Sequence, residues 1–302
     1  MAVGVGSLLS LLKWKPDLLY VHQTTNLGFL AARLIVATPT FLDAHSSVAM
    51  EARAFGREDL IRRLGWRERL SIRTTCGIIA ASHELRDFLL KEYHLDPAFC
   101  WTVPNGVPSS WLTRHHGGGR WRERLEIVNG NMIVLHSAPA GFEANERSLE
   151  LIEPLAKAGS LASQGICLVV SGRSRAPPGV RALGVVRDYI DLVDAADVTV
   201  LPYPPQAVCG GARNKALEFL ARGKAIVSTF EGMRGVDGAM PGVHYLHAES
   251  AGEFLDALCR LRSDSTLKAR LGAAARSLAK GFQWSASAGE LSRIFESTNR
   301  SV

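Results

Sequence analysis

The 302-residue chain has no long apolar run, few cysteines, few aromatics and no low-complexity tract or internal repeat. No stretch approaches the ~18 consecutive apolar residues of a membrane-spanning helix. The opening Met1 to Asp17 lacks a basic segment and a small-residue cleavage site, so no signal peptide is expected. Five cysteines, at 76, 100, 167, 209 and 259, are odd in number and scattered. No Cys-x-x-Cys or Cys/His ligand spacing among them suggests a zinc site, and they fit buried, reduced thiols in a cytoplasmic protein. Aromatics are 7% of the chain and are not interleaved with a basic stripe, which argues against nucleic-acid binding.

What is present is ordinary for a folded α/β enzyme. Hydrophobic residues make up 47% and charged residues 21%, enough to bury a core, and the length suggests two domains. A net charge of +6 allows an anionic partner: nucleotide phosphates, nucleic acid or an acidic membrane surface. The one dense basic cluster, Arg57 to Arg73, holds six arginines with Leu60, Ile61, Leu64, Trp66, Leu70 and Ile72 between them. It reads either as a solvated helix face or as a face for an anionic membrane.

Apolar runs alternate with helical patterns, the mark of βαβ units and parallel sheets. Strands are expected at 18–22, 40–43, 76–81 and 99–103. Helices are expected at 2–14, 27–37 and 83–94, with another over 50–74 broken near Gly56 and Gly65. A polar linker carries His115-His-Gly-Gly-Gly119. Strands at 132–137, 166–171, 182–186, 198–202, 225–229 and 243–247 follow. Helices are expected at 145–158, after Gly211, over most of 250–280 and at 285–297.

The densest chemistry lies between Gly210 and Thr229. A Gly210-Gly211 turn opens a helix carrying Arg213, Lys215 and Glu218, and Gly223 closes it before a buried strand. Backbone N–H groups and the positive end of a helix favour an anion, and Lys215 adds charge in the first turn. Glu218 stands about one turn deeper on the same face. A ligand with phosphates at one end and sugar hydroxyls at the other suits this pattern, although an amphipathic helix with solvated charges would look the same.

Further segments, in order, resemble the family-four retaining glycosyltransferases. The strand Cys76 to Ser82, the helix after it and the turn Pro104-Asn-Gly-Val107 are similar to the close of that family's first domain. Leu183 to Asp188 and Leu192 to Tyr203 resemble its base-binding loop with the helix and strand after it. Lys215 to Thr229 resembles its donor helix, Gly232 to Gly235 its glycine loop, and Trp284 the tryptophan that opens its last helix.

The resemblance implies two Rossmann-like doubly wound domains, the GT-B fold. Expected limits are 1–112 for an incomplete acceptor-side domain, 113–130 for the linker and 131–283 for the donor domain. A final helix, 284–302, is expected to cross back to the first domain. The implied reaction moves a sugar from a nucleotide-diphosphate sugar to a hydroxyl of a saccharide or lipid-linked glycan, with retention and without a metal. Donor binding would fall to Gly210, Gly211, Arg213, Lys215 and Glu218, with Lys215 on the phosphates and Glu218 on the ribose. Gly184 and Val185 would contact the base, and Arg173 would serve as a replacement cation. His45, in Asp43-Ala-His45, would orient or deprotonate the acceptor hydroxyl, with His22 a weaker candidate.

Three departures stand out. Gly210 occupies the position where many members have a sugar-contacting glutamate. The family's Gly-Arg and Lys-Gly pair is replaced by His136 to Asn145. No glycine-rich turn opens the first domain, which implies either an upstream start or a partner chain covering an open sheet edge. These departures keep two alternatives open: a regulatory subunit that retains nucleotide binding, and a nucleotide-sugar epimerase of the same fold. The expected location is the cytoplasm, with membrane association at its inner face as a candidate.

Overall fold

The computed structural model describes residues 13–14, 16–22, 24–25, 38–113, 118–127 and 130–299. The helices expected at 2–14 (all but its last two residues) and 27–37 lie outside the described residues. The chain divides into two compact units, one of residues 1–105 with 208–212, the other of 106–207 with 213–302. The chain therefore leaves the second unit for five residues, Val208 to Ala212, and returns.

The first unit holds a parallel sheet of β1 (Leu19–His22), β2 (Thr40–Ala44), β3 (Gly77–Ala80) and β4 (Cys100–Thr102), in that order. β2 and β3 are buried on both faces, as continuous apolar strands between helices must be. α1 (Val48–Phe55) ends at Gly56, whose φ of 65° suits a left-handed cap, so the break expected there is present. α2 (Glu58–Thr74) instead runs straight through Gly65, with Ile61 at 3.4 Å from where its Cβ would stand. One glycine costs about 1 kcal/mol, too little to interrupt a helix packed along its apolar face. α3 (His83–Tyr93) starts on a side-chain cap, Ser82 Oγ accepting from the Leu85 N–H.

A fully buried carboxylate ties α1 to α2. Glu68 accepts from Ser47 Oγ at 3.1 Å, from the backbone N–H groups of Val48 and Ala49 at 3.1 and 3.3 Å, and from Tyr93 Oη at 2.6 Å. Its charge thus sits at the amino end of α1, where the helix dipole favours it. Burial, together with this neighbouring carboxylate, pushes the Tyr93 phenol well above its ordinary value.

The second unit holds a six-stranded parallel sheet. Its strands are β5 (Met132–Ser137), β6 (Ile166–Ser171), β7 (Arg181–Ala182), β8 (Val198–Leu201), β9 (Ala225–Ser228) and β10 (Leu246–His247). Their spatial order is β10-β9-β8-β5-β6-β7. In chain order this is the doubly wound 3-2-1-4-5-6 arrangement, with its switch point between β5 and β8. α4 (Gly118–Arg124) lies inside the segment expected to be a linker, and Trp121 anchors it by burial. α5 (Glu143–Lys157) follows β5, α6 (Tyr189–Ala195) precedes β8, and α7 (Asn214–Ala221) precedes β9. α8 (Ala251–Ser263) begins with a Ser250/Glu253 capping box, and α9 (Ser265–Ala279) follows it. α10 (Trp284–Asn299) belongs to the second unit. There Val107 N–H donates to Phe282 O and Trp284 N–H to Val107 O, at 2.7 and 3.2 Å.

Candidate functional site

In an open parallel sheet the ligand crevice lies beyond the carboxyl ends of the strands at the switch point. Here that point is framed by Ser137, the last residue of β5, and by Tyr203, just past β8. Lys215 of α7 reaches both. Its ammonium donates to Ser137 O at 2.6 Å, to Tyr203 Oη at 2.7 Å and to Asn145 Oδ1 at 3.0 Å. Tyr203 Oη donates to the same Asn145 oxygen at 3.0 Å, while Asn145 Nδ2 donates to Pro139 O at 2.8 Å. The sequence places Lys215 at the phosphate end of a ligand. In the structure all three of its donors are engaged, so it would have to exchange a partner to take a phosphate.

Behind this network lies His136, fully buried. Its Nδ1 donates to Val200 O at 3.1 Å, leaving Nε2 to accept from Ser148 Oγ at 2.7 Å. Burial, reinforced by the Lys215 charge, holds its pKa well below the ordinary imidazole value, so it stays neutral. The stretch that departs from the family pattern therefore supplies a neutral core histidine and the Asn145 partner of Lys215. Sequence reasoning missed Asn145 and Tyr203 as members of the site; their signal was position, each following a strand at the switch point.

Glu218 differs from Lys215. Among the described residues no group hydrogen-bonds or ion-pairs its carboxylate. Burial pushes its pKa up, and the Lys215 charge only partly offsets that. The same burial, with Glu218 nearby, raises the Tyr189 phenol well above its ordinary value. A half-buried carboxylate lacking partners is costly unless a ligand with hydroxyl donors completes it.

Arg213 and Arg173 do not stand open to a ligand as the sequence suggested. Arg213 is buried, its guanidinium 3.6 Å over the Tyr203 ring, bonded to Ala207 O and 3.2 Å from the buried Glu231 carboxylate. It locks the loop before α7 and is spent on that. Arg173 pairs in a fork with Glu146, at 2.5 and 2.9 Å, and donates to Ala138 O. The ion pair holds the Glu146 carboxyl below its ordinary value. Gly184 has φ +68° and is antiparallel-bridged to Arg173, which turns the chain so that Val185 is 89% exposed. The loop expected to meet a base is thus presented to solvent.

Gly210 and Gly211 owe their identity to close packing within the first unit. Ser82 Oγ donates to Gly210 O at 2.6 Å and Asn105 Nδ2 to Ala212 O at 2.9 Å. A Cβ at 210 would stand 2.7 Å from His45 O and from Ser46 Cα, and one at 211 would stand 2.7 Å from Ala81 Cβ. α7 itself begins later, at Asn214. The glycines are therefore not the helix start that the sequence implied. A glutamate, which many relatives have at 210, has no room there without moving backbone.

The first unit carries a second cluster, at the carboxyl ends of β1 and β2. His22 and Asp43 are register partners, so they leave the sheet on one side, and His45 is two residues beyond Asp43. His22 Nδ1 and His45 Nε2 lie 2.9 and 3.0 Å from the same oxygen, Asp43 Oδ2. Burial alone would raise the Asp43 carboxyl, but hydrogen bonds from His45, His22 and Tyr20 outweigh it and the net shift is downward. The sequence named His45 and His22 separately; the structure joins them through Asp43.

Both units match known families. Residues 4–111 match the profile described as Glycosyltransferase Family 4, and residues 159–264 that of Glycosyl transferases group 1. No curated protein sequence matches the chain. Among solved structures, sucrose-phosphate synthase of Thermosynechococcus elongatus superposes with a TM-score of 0.78 at 16% identity, over 97% of this chain and 76% of the other. HepE of Anabaena in complex with UDP-glucose gives 0.73 at 14% identity, over 98% and 82%. A UDP-forming trehalose-phosphate synthase of Burkholderia xenovorans gives 0.69 at 13%, over 98% and 77%. Two profiles spanning both units, on a pair of parallel-sheet domains of this topology, show that the chain belongs to the family-four glycosyltransferases of GT-B fold, which use nucleotide-sugar donors.

Proposed function

We propose that the chain transfers a sugar from a nucleoside-diphosphate sugar to a hydroxyl of a saccharide or lipid-linked glycan, with retention of configuration and without a metal at the phosphates. The observation that carries the donor assignment is Glu218: a half-buried, unpaired carboxylate one turn beyond Lys215, on the helix that opens at the switch point. Ribose hydroxyls would satisfy it. Lys215, exchanging Ser137 O or Asn145 for a phosphate oxygen, would neutralise charge on the leaving diphosphate, as cations and backbone N–H groups do without a metal. In the first unit His45, oriented by Asp43, is the candidate for positioning the acceptor hydroxyl. UDP is the first donor nucleotide to test, since HepE is described in complex with UDP and with UDP-glucose.

The decisive experiment is calorimetry with UDP, GDP and their sugars, followed by NMR assignment of the product's anomeric configuration. Absence of binding to every nucleotide would remove the donor assignment, and an inverted product would remove retention. A second reading, a subunit that binds nucleotide but transfers poorly, is favoured by Gly210, where no carboxylate fits. Product formation with turnover separates the two.

We further place the protein in the cytoplasm, at an anionic membrane surface. Among the described residues no helix is long and apolar enough to span a bilayer. The outward face of α2, however, combines Arg62, Arg63, Arg69 and Arg73 with Trp66 and Leu70, which are 54% and 41% exposed. That composition is that of an interfacial helix.

A further inference from the structure

We propose that His22, Asp43 and His45 form an open site for a borderline divalent transition cation, zinc foremost. Among the described residues these three make up the one group of His, Cys, Asp or Glu whose ligand atoms converge, all within 4.8 Å of one another. The convergence is built by the fold. Parallel register sets His22 beside Asp43, and the two-residue period brings His45 back to the same side. The two imidazole rings are 4.7 Å apart and tilted by 56°, so they do not stack flat on each other.

The hydrogen-bonded triangle is close to a coordination triangle. Nitrogen–oxygen separations are 2.9 and 3.0 Å, each bridged by a proton. Zinc bonds of ~2.0–2.2 Å in tetrahedral geometry place ligand atoms roughly 3.3–3.5 Å apart. Exchanging two N–H protons for one cation therefore needs an opening of only a few tenths of an ångström at the two nitrogen–oxygen edges, with the two nitrogens, within 4.8 Å of each other, settling to the same spacing. The donor set selects the metal. Two imidazoles and one carboxylate suit zinc and its first-row neighbours, whereas magnesium and calcium require more oxygen ligands. Tyr20 hydrogen-bonds Asp43, the outer-shell contact that orients a ligating carboxylate. Three protein ligands leave the fourth position free. Side-chain exposures of 59% for His22 and 37% for His45 keep that side open to a water or an oxyanion.

Coordination at His45 Nε2 would leave the imidazole proton on Nδ1, removing the lone pair that an acceptor hydroxyl would use in the proposed transfer. Occupancy should therefore inhibit transfer. That arm rests on the functional reading above, whereas binding itself does not.

The test is titration of the full chain with Zn2+ by calorimetry and with Co2+ by its visible ligand-field absorption. One saturable equivalent is expected, unaffected by excess Mg2+. His22→Ala and Asp43→Ala should each weaken binding about tenfold or more, the scale on which metal sites respond even to loss of an outer partner. Should either variant fail to fold by circular dichroism, His45→Gln serves: it keeps a hydrogen-bond donor for Asp43 but loses imidazole coordination, and it too should weaken binding. Absence of saturable binding, displacement of Co2+ by Mg2+, or binding that survives in a folded variant would overturn the site. Zinc binding without inhibition of an active enzyme would leave the site standing and count instead against the role of His45.

Discussion

Lys215 Nζ donates to Ser137 O at 2.6 Å, joining the second residue of α7 to the last residue of β5, the strand at the switch point. This one contact fixes where α7 begins relative to the sheet. It makes Lys215 a structural tie as well as the cation proposed for the phosphates. Lys215→Met should therefore do two things. It should weaken UDP binding by about 1–3 kcal/mol, the range for charge-assisted hydrogen bonds, and destabilise the free protein by a similar amount by stranding Ser137 O and removing one of the two donors to Asn145 Oδ1. Calorimetry and urea unfolding read these separately. A loss of binding with an unchanged unfolding midpoint would contradict the tie.

Glu218 should trade stability for binding. Its folded pKa is raised above the ordinary 4.5, chiefly by burial. A carboxyl raised on folding contributes stability below the unfolded value and loses it as pH climbs through the folded value. Above that window the charged, unpaired carboxylate is a net cost. Glu218→Gln should accordingly raise the unfolding midpoint at pH 7, flatten the fall in stability above pH 4.5, and still weaken nucleotide binding. Stability at pH 7 that drops in the variant would mean the carboxylate has a partner.

Some of this arrangement was legible in the sequence. β5 and β6 fall where the apolar runs place them, 132–137 and 166–171, because strands buried on both faces leave an uninterrupted signal. β10 is only the last two residues of the run expected at 243–247, and β7, Arg181–Ala182, overlaps the run expected at 182–186 by a single residue, since an edge strand pairs on one side only and its one neighbour sets its ends. Lys215 and Glu218 were visible as a pair, but the partners of Lys215 lie 12, 70 and 78 residues away and leave no local trace. The glycine pair was conspicuous for the wrong reason. Nothing in its neighbours announces that Gly210 packs against the His45 backbone.

That packing gives a third prediction. Gly210→Ala puts a methyl 2.7 Å from His45 O and Ser46 Cα, both backbone and unable to rotate away. Overpacking of this kind costs about 1–3 kcal/mol. The loss should appear in thermal unfolding as a lower midpoint, with amide exchange accelerated at 208–212. Wild-type stability in the variant would show that the segment does not hold this seat.

Glu68 should be among the least replaceable residues of the first unit. Its carboxylate accepts four hydrogen bonds, two of them from the first turn of α1, in a site with no solvent exposure. Glu68→Ala strands Ser47, two backbone N–H groups and the Tyr93 hydroxyl at once. Each unsatisfied buried donor costs about 1–3 kcal/mol, so unfolding of the first unit in urea is expected well ahead of wild type. Glu68→Gln retains one acceptor oxygen and should lie between the two. Equal midpoints for the alanine variant and wild type would mean water replaces the carboxylate there.

The outward face of α2 predicts salt-sensitive membrane binding. Arg62, Trp66, Arg69, Leu70 and Arg73 are spaced at 4, 7, 8 and 11 residues from the first, which stacks them along one side of the helix. The acidic residues of this helix, Glu58 and Asp59, sit in its first turn, and Glu68 is turned inward. Arginines near an anionic surface contribute about 1 kcal/mol each, and an inserted tryptophan adds apolar burial. The protein should co-sediment with phosphatidylglycerol vesicles at low salt, lose most binding at high salt, and ignore phosphatidylcholine vesicles. Arg62→Glu with Arg69→Glu should abolish binding while leaving nucleotide affinity intact, because both side chains belong to the first unit and the proposed nucleotide contacts to the second. Trp66→Ala should weaken it and leave its salt dependence in place. Equal binding to neutral and anionic vesicles, or binding that survives both charge reversals, would assign this face to solvent.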